Sequence, residues 1–143
     1  MTSSELQGWS VILAIQRATH ASLDALSKRL AHLGLTPGEI NVLANLVDGA
    51  QRTVSELSRL VGTPVTTMTS TLDRLTRRAL ITRHTPESNR RTVVVTLTKS
   101  GRVIAKEARA AITELETELV AGLSTGQLAQ LCDALGQLAT EHS

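Results

Sequence analysis

The chain has 143 residues, of which 41% are hydrophobic, 20% charged and 1% aromatic, and its formal net charge is +2. This length predicts one domain with a core of Leu, Val, Ile and Ala. A single Trp without Phe or Tyr largely excludes aromatic cages and base-stacking platforms. The apolar run from Trp9 to Ile15 is too short for a membrane span and lacks the basic residues of a secretory signal. One cysteine is compatible with the cytoplasm.

Positive charge is concentrated in the middle of the chain. Residues 52–102 contain ten basic and three acidic residues, whereas the remainder contains five basic and ten acidic ones. A basic segment between acidic flanks is typical of a surface that meets a polyanion. A solvated surface with clustered charges is the alternative, and charge alone leaves both open.

Four helices are predicted before the basic hairpin. Apolar residues at three- and four-residue spacing predict a long amphipathic helix from about residue 5 to residue 33. The sequence TPGE at Thr36–Glu39 is a capping box with Pro at the first helical position, and it predicts a helix over 37–48. A second capping box, TVSE at 53–56, predicts a helix over 54–61. Thr63 before Pro64 predicts the cap of a helix over 64–79.

The third and fourth helices form a predicted helix-turn-helix, because only a short turn with Gly62 at a left-handed cap separates them. One side of the fourth helix is predicted to face the core with Val65, Met68, Leu72, Leu75 and Ala79. The opposite side has Thr66, Ser70, Arg74 and Arg77, flanked by Thr63, Thr67 and Asp73. Small hydroxyl side chains let a helix enter a major groove closely, and arginines further along reach phosphates. An ordinary solvated helix face is the alternative.

A basic β-hairpin directly follows this helix. Residues rich in β-branched side chains predict strands over 80–84 and 92–97, joined by the polar turn TPESNRR. Such a turn protrudes, and an arginine at its tip can enter a narrow minor groove. We therefore interpret the hairpin as an arm that holds Arg90 and Arg91 against DNA. A solvent-exposed turn with incidental charge is the alternative.

Two further helices complete the chain. The first extends from the end of the hairpin to about Gly122, and the second begins at the capping box STGQ, residues 124–127. The second has a narrow apolar stripe that predicts a seam for another helix, formed by Leu128, Leu131, Leu135 and Leu138. Cys132 lies beside the stripe and is interpreted as a small buried hydrophobe.

The segments SELSRLVGTPVTTMTSTLDRL, LITR and SNRRTVVVTLTKSG resemble the winged helix-turn-helix of the MarR (multiple antibiotic resistance regulator) family of transcription factors. The most specific part is the hairpin followed by Leu97, Thr98 and Gly101. The resemblance implies a mainly α fold with a small β-hairpin, in which residues 36–97 form the winged domain. It also implies that helices over 5–33 and 99–141 hold a homodimer on palindromic DNA. Arg91 is similar to the family's wing arginine, and Arg74 to the arginine of the LDRL motif.

Three residues depart from the family pattern. Asn89 stands where an Asp usually precedes the wing arginine by two positions, so a bond to the guanidinium lacks charge assistance. Ser70 occupies a position where many members have an arginine. Ala79 replaces the usual Gly after the recognition helix, which disfavours a left-handed cap there.

These observations predict a ligand-responsive repressor that binds palindromic double-stranded DNA as a cytoplasmic homodimer, without a cofactor or a membrane partner. A winged-helix module that binds another protein is the alternative. An enzyme is not expected, because no catalytic constellation is present, and the four histidines are too scattered for a zinc site. The residues predicted to contact DNA are Arg52, Thr63, Thr66, Thr67, Ser70, Arg74, Arg77, Asn89, Arg90 and Arg91.

A small-molecule effector is a further expectation from the family resemblance. Trp9, Arg17 and His20 on the first helix are the candidate contacts. Core packing of Trp9 and solvent exposure of Arg17 are the alternatives.

Overall fold

A computed structural model of the chain describes residues 2–140. The helices are α1 (Ser3–Leu6), α2 (Val11–Arg29), α3 (Pro37–Leu46), α4 (Val54–Val61), α5 (Val65–Arg77), α6 (Lys99–Val120) and α7 (Thr125–Thr140). A 3₁₀ turn at Ala31–Leu33 follows α2. The strands are β1 (Arg52–Thr53), β2 (Ile81–His84) and β3 (Val94–Leu97). This arrangement confirms the predicted mainly α fold with a small hairpin.

The three strands form an antiparallel sheet in the order β1-β3-β2. The hairpin pairs Ile81 with Leu97 and His84 with Val94, and Arg52 of β1 pairs with Val95 on the other side of β3. The sequence did not predict β1, because two residues are too few to show a strand pattern. The added strand makes β3 the central strand of the sheet, so the hairpin is supported along both edges of β3.

The capping boxes place the helix starts as predicted. The Thr36 and Glu39 side chains each bond the other residue's backbone N–H at the start of α3, and Thr53 and Glu56 do the same for α4. Gly62 ends α4 in the left-handed conformation, at a φ of 75°. The Ser124 hydroxyl accepts from the N–H of Gln127 at the start of α7. Local side-chain chemistry therefore fixes these boundaries.

The predicted single helix over residues 5–33 is wrong, because the chain leaves the helix between Leu6 and Val11. Gly8 lies in this break, and the Ser10 hydroxyl caps the new helix by accepting from the N–H of Leu13 at 3.3 Å. Glycine is a poor helix former and serine favours a cap over a helix interior, so both residues favour the break.

The predicted cap at Thr63 is also wrong. Pro64 occupies the N-cap position of α5 and makes no side-chain cap bond. The Thr63 hydroxyl is buried and has no hydrogen-bond partner among the described residues. Val65 was expected to face the core, but its position at the first turn leaves it exposed. The proline alone sets the start of this helix.

Ala79 adopts the left-handed conformation that its side chain disfavours, with a φ of 57°. The N–H groups of Ala79 and Leu80 close the end of α5 by donating to the carbonyls of Thr76 and Leu75. The Ala79 carbonyl in turn accepts from the hydroxyls of Thr98, at 2.7 Å, and Ser100, at 3.2 Å. The expectation from the missing glycine is therefore wrong, because bonds from the start of α6 hold the alanine in place.

Gly101 is required by the close approach of α6 to the end of α5. A Cβ atom at this position would lie 1.8 Å from the carbonyl oxygen of Leu80. The backbone N–H of Thr98 donates to the same carbonyl, at 3.1 Å. The Thr and Gly that follow β3 thus join α6 to the first residues of the hairpin.

A buried core lies beneath the helix-turn-helix and the sheet. It contains Val42, Leu43, Leu46, Leu57, Met68, Leu72, Leu75, Leu80, Ile81, Val95 and Ala105. Within the chain, contacts define two units, one up to Ile112 and one from Thr113 onward. In the second unit, Leu131, Leu135 and Leu138 of α7 are exposed, and so is Cys132, contrary to the predicted burial of that cysteine. These side chains of α7 are therefore open to solvent among the described residues.

Candidate nucleic-acid interface

Helix α5 presents a polar face because its apolar side chains after the first turn pack in the core. Met68, Leu72 and Leu75 are buried against it. The predicted face contains Thr66, Thr67, Ser70 and Arg77, and all four are exposed. The Ser70 hydroxyl lies 3.5 Å from the carbonyl of Thr66, one turn back. The helix therefore offers a row of short side chains that ends in a cation.

Arg74, predicted on the same face, is instead bonded to α3. Its Nε donates to Oε1 of Glu39 at 2.7 Å, and its Nη2 lies 3.4 Å from the Thr71 hydroxyl. Glu39 is only 3% exposed. The other oxygen of this carboxylate accepts from the N–H of Thr36 in the capping box, at 3.1 Å. One buried carboxylate thus joins the start of α3 to the recognition helix candidate.

Two further predicted residues are also engaged within the fold. Arg52 donates from Nε to the Asn45 carbonyl at 2.7 Å and from Nη2 to Asp48 at 2.8 Å. Its position in β1 places it at the sheet edge opposite β2. Thr63 has its hydroxyl buried at the turn before α5. Arg52 and Arg74 are therefore bonded within the fold, and the Thr63 hydroxyl is buried, whereas Thr66, Thr67, Ser70 and Arg77 are exposed.

The loop between β2 and β3 projects two arginines. Asn89 organises its tip, because its Oδ1 accepts from the backbone N–H of Arg91 at 3.1 Å and its carbonyl accepts from Thr92 at 3.2 Å. Asn89, Arg90 and Arg91 are all exposed. Within residues 2–140, neither guanidinium is paired with a carboxylate. The loop therefore leaves both charges free for an external anion.

An ion pair attaches the hairpin to α5. Arg83 of β2 donates from Nη1 to Asp73 of α5 at 2.7 Å, with both side chains partly exposed. Across the hairpin, the hydroxyls of Thr82 and Thr96 lie 2.9 Å apart. The sequence analysis missed this pair, although Asp73 and Arg83 have opposite charges and flank the end of the helix. This ion pair therefore connects α5 to the hairpin that carries the loop between β2 and β3, called the wing loop below.

A groove of about 1230 Å³ lies at the start of α2. Trp9, Arg17 and His20, the three effector candidates, line it together with Leu13 and Asp24. The hydrogen bond and charge of Lys28 lower the pKa of Asp24. Trp9 is 54% exposed, so the alternative in which it packs in the core is wrong. The buried residue of α2 is Leu26, near the C-terminal end of that helix. Arg17 is exposed, which agrees with the alternative of solvent exposure given for it.

Residues 2–140 contain no group of three or more His, Cys, Asp or Glu residues that can hold a metal ion. No helix in the described part is both long enough and apolar enough to cross a bilayer.

Comparisons with known proteins agree with this geometry. Residues 33–92 match the family model of the MarR family. Among solved structures, NadR in complex with 4-hydroxyphenylacetate is similar with a TM-score of 0.82 at 20% identity, covering 92% of this chain and 94% of that one. CouR from Rhodococcus jostii RHA1, bound to p-coumaroyl-CoA, has a TM-score of 0.80 at 19% identity, covering 94% of each chain.

A MarR mutant from E. coli complexed with operator DNA is also similar. Its TM-score is 0.77 at 22% identity, and the match covers 96% of this chain and 99% of that one. The matched family model spans α3 to the wing loop, the segment that contains the polar face of α5 and both wing arginines. Residues 33–92 of this chain are thus similar to the MarR family, and the chain has the fold of these solved structures.

Proposed function

We propose that this protein is a repressor that binds palindromic double-stranded DNA as a homodimer and releases it in response to a small molecule. The observation that carries the proposal is the pair of unpaired wing arginines, Arg90 and Arg91, attached to the exposed hydroxyl face of α5. The similarity to a MarR structure complexed with operator DNA supports it. We propose that it works in the cytoplasm.

The proposed contacts divide into two classes. Thr66, Thr67 and Ser70 are short enough to bring the backbone of α5 close to base edges in a major groove, while Arg77 reaches a phosphate. Arg90 and Arg91 enter the adjacent minor groove, where the negative potential attracts guanidinium groups. Arg74 is proposed to position α5 through Glu39 rather than to provide the main phosphate contact.

Dimerisation is proposed because two separate parts of the chain expose large apolar side chains. Trp9, Val11, Ile12 and Leu13 are more than half exposed around the start of α2. On α7, the predicted seam exposes Leu131, Leu135 and Leu138. Apolar stripes of this kind are covered by another helix in stable proteins. A two-fold dimer also gives two equivalent recognition helices, which suits a palindromic site.

The groove at Trp9 is the proposed effector site. Its lining combines an indole and a leucine with Arg17 and His20, a set that suits an aromatic molecule with a negative charge. Structures of two similar proteins contain 4-hydroxyphenylacetate and p-coumaroyl-CoA. Because Trp9 is the only tryptophan in the chain, its fluorescence reports directly on binding at this groove.

The DNA-binding proposal is tested by measuring affinity as a function of salt. Duplexes enriched by the protein from a random-sequence pool serve as the probe, and fluorescence anisotropy gives the dissociation constant. Each phosphate contact contributes about −0.9 to the log–log slope, so binding weakens steeply as salt rises. We expect Arg91→Ala to lower affinity at least about tenfold, as expected for loss of a minor-groove arginine. Arg102→Ala removes an exposed charge from α6 and serves as the control.

Two results would contradict the proposal. One is the failure of the wild-type protein to enrich any duplex, which would favour a protein-binding winged helix. The other is equal affinity of the Arg91 and Arg102 variants.

A further inference from the structure

The C-terminal end of α5 is bonded to the junction between α2 and α3. Arg78 caps this end of the helix, and its guanidinium donates from Nη2 to the Leu33 carbonyl at 2.8 Å and from Nη1 to the Gly34 carbonyl at 3.1 Å. One turn earlier, Arg74 reaches Glu39 at the start of α3. Arg74 and Arg78 therefore hold the segment from Leu33 to Glu39.

The same end of α5 is also bonded to α6. Thr98 and Ser100 donate to the Ala79 carbonyl, and Gly101 packs directly on Leu80. A direct contact between His32 and Glu107, 2.5 Å from Nε2 to Oε1, joins the 3₁₀ turn to α6. These contacts form a closed ring through the 3₁₀ turn, the end of α5 and α6.

Arg78 is the member of this ring whose chemistry is hardest to replace. The carbonyls of Leu33 and Gly34 end the 3₁₀ turn, and the left-handed Gly34, with a φ of 62°, exposes them to a donor. A guanidinium supplies two separate N–H groups in a rigid plane, so it can bond both carbonyls at once. A lysine ammonium is a point donor on a flexible stem and favours one of them.

We propose that Arg78 is a positioning residue that fixes the angle between the recognition helix and the α2–α3 junction. Its guanidinium bonds the fold and not the DNA. A displacement of α2 or α6 is then passed to α5 through the ring, which gives the effector groove on α2 a route to the DNA-binding face. The DNA-dependent part of this inference rests on the function proposed above.

The first experiment needs no DNA. Hydrogen exchange followed by mass spectrometry is measured on the full-length wild type, Arg78→Gln, Arg78→Lys and the control Arg102→Gln. We expect exchange in residues 72–80 and 33–36 to accelerate about tenfold in Arg78→Gln, because local opening becomes easier where the two segments are joined. Arg78→Lys is expected to lie between the wild type and Arg78→Gln, and Arg102→Gln to match the wild type.

The second experiment measures binding of the same variants to the enriched duplex and to a random duplex over a range of salt. Arg78→Gln is expected to bind the enriched duplex about tenfold more weakly, with little change on the random duplex and an unchanged salt slope. If the magnitude of the log–log salt slope fell by about one, Arg78 would contact a phosphate, and the proposal would be overturned. Equal loss on both duplexes would also overturn it, because a positioning residue acts on specific contacts.

The two experiments separate the two proposals. If the wild type enriches no duplex, the proposed function fails, and hydrogen exchange still decides whether Arg78 holds the junction. If hydrogen exchange in both segments of Arg78→Gln were as slow as in the wild type, the positioning role would be overturned, whatever the DNA experiment showed.

Discussion

Replacement of Arg74 by Ala tests whether this arginine holds α5 in place. The substitution removes the donor at 2.7 Å from a carboxylate that is 3% exposed, and the capping bond from Thr36 becomes the main remaining support for that charge. A hydrogen bond to a buried charged group contributes about 2 kcal/mol, and the partial exposure of Arg74 keeps the loss below that of a fully buried pair. We therefore expect the free energy of unfolding to fall by about 2 kcal/mol. The Tm should fall by roughly 8 °C, at about 4 °C per kcal/mol.

Urea denaturation followed by far-ultraviolet circular dichroism measures this loss. Arg77→Ala is the matched control, because Arg77 is exposed on the same helix and its loss should change stability by less than about 0.5 kcal/mol. Glu39→Gln retains a side chain able to cap α3 but removes the charge. In that background Arg74→Ala should cost clearly less, giving a coupling energy of about 1 kcal/mol. Equal stability of the Arg74 and Arg77 variants would refute the reasoning.

Three further predictions concern the backbone and the exposed seam. Ala79→Gly should stabilise the protein by about 1 kcal/mol in the same denaturation assay, because glycine accepts a φ of 57° without strain; a loss of stability would contradict this. Gly101→Ala should lower the free energy of unfolding by about 3 kcal/mol, since the new Cβ would clash with the Leu80 carbonyl oxygen. Near-wild-type stability would show that α6 can move away. Leu135→Glu should weaken the proposed dimer by about 2 kcal/mol in sedimentation equilibrium, and Gln137→Glu, on the other side of α7, should not; identical association of the two variants would argue against the α7 seam.

Local signals in the sequence predicted most of the fold. The capping residues at Thr36 and Thr53 locate α3 and α4, because a cap depends on residues only three positions apart. The break before Ser10 was missed, since the apolar spacing continues across it. Ala79 was misjudged because bonds from Thr98 and Ser100, far along the chain, decide its conformation. The conformational propensity of alanine gives the energetic cost of the left-handed conformation, but it does not include hydrogen bonds from residues far along the chain.

The candidate site was predicted less completely, and its arginines show why. Helical periodicity places Arg74 on the polar face, but its partner Glu39 lies in another helix. Arg52 is similarly bonded to Asn45 and Asp48. Charge clustering alone cannot distinguish an arginine that is bonded within the fold from one that is free, because the distinction depends on tertiary neighbours. Arg90 and Arg91 were easier to interpret, since a long polar loop provides few such neighbours.

Hydroxyl-radical footprinting of the wild-type protein on an enriched duplex tests the central claim most directly, because it locates both elements of each protomer on the DNA. We expect two equivalent protected regions centred about one helical turn apart, each flanked by protection of a minor groove. In Arg91→Ala the flanking protection should disappear first, while the central regions persist at higher protein concentration. A single asymmetric protected region, or flanking protection that survives the loss of Arg91, would contradict the proposed dimer with two DNA-bound wings.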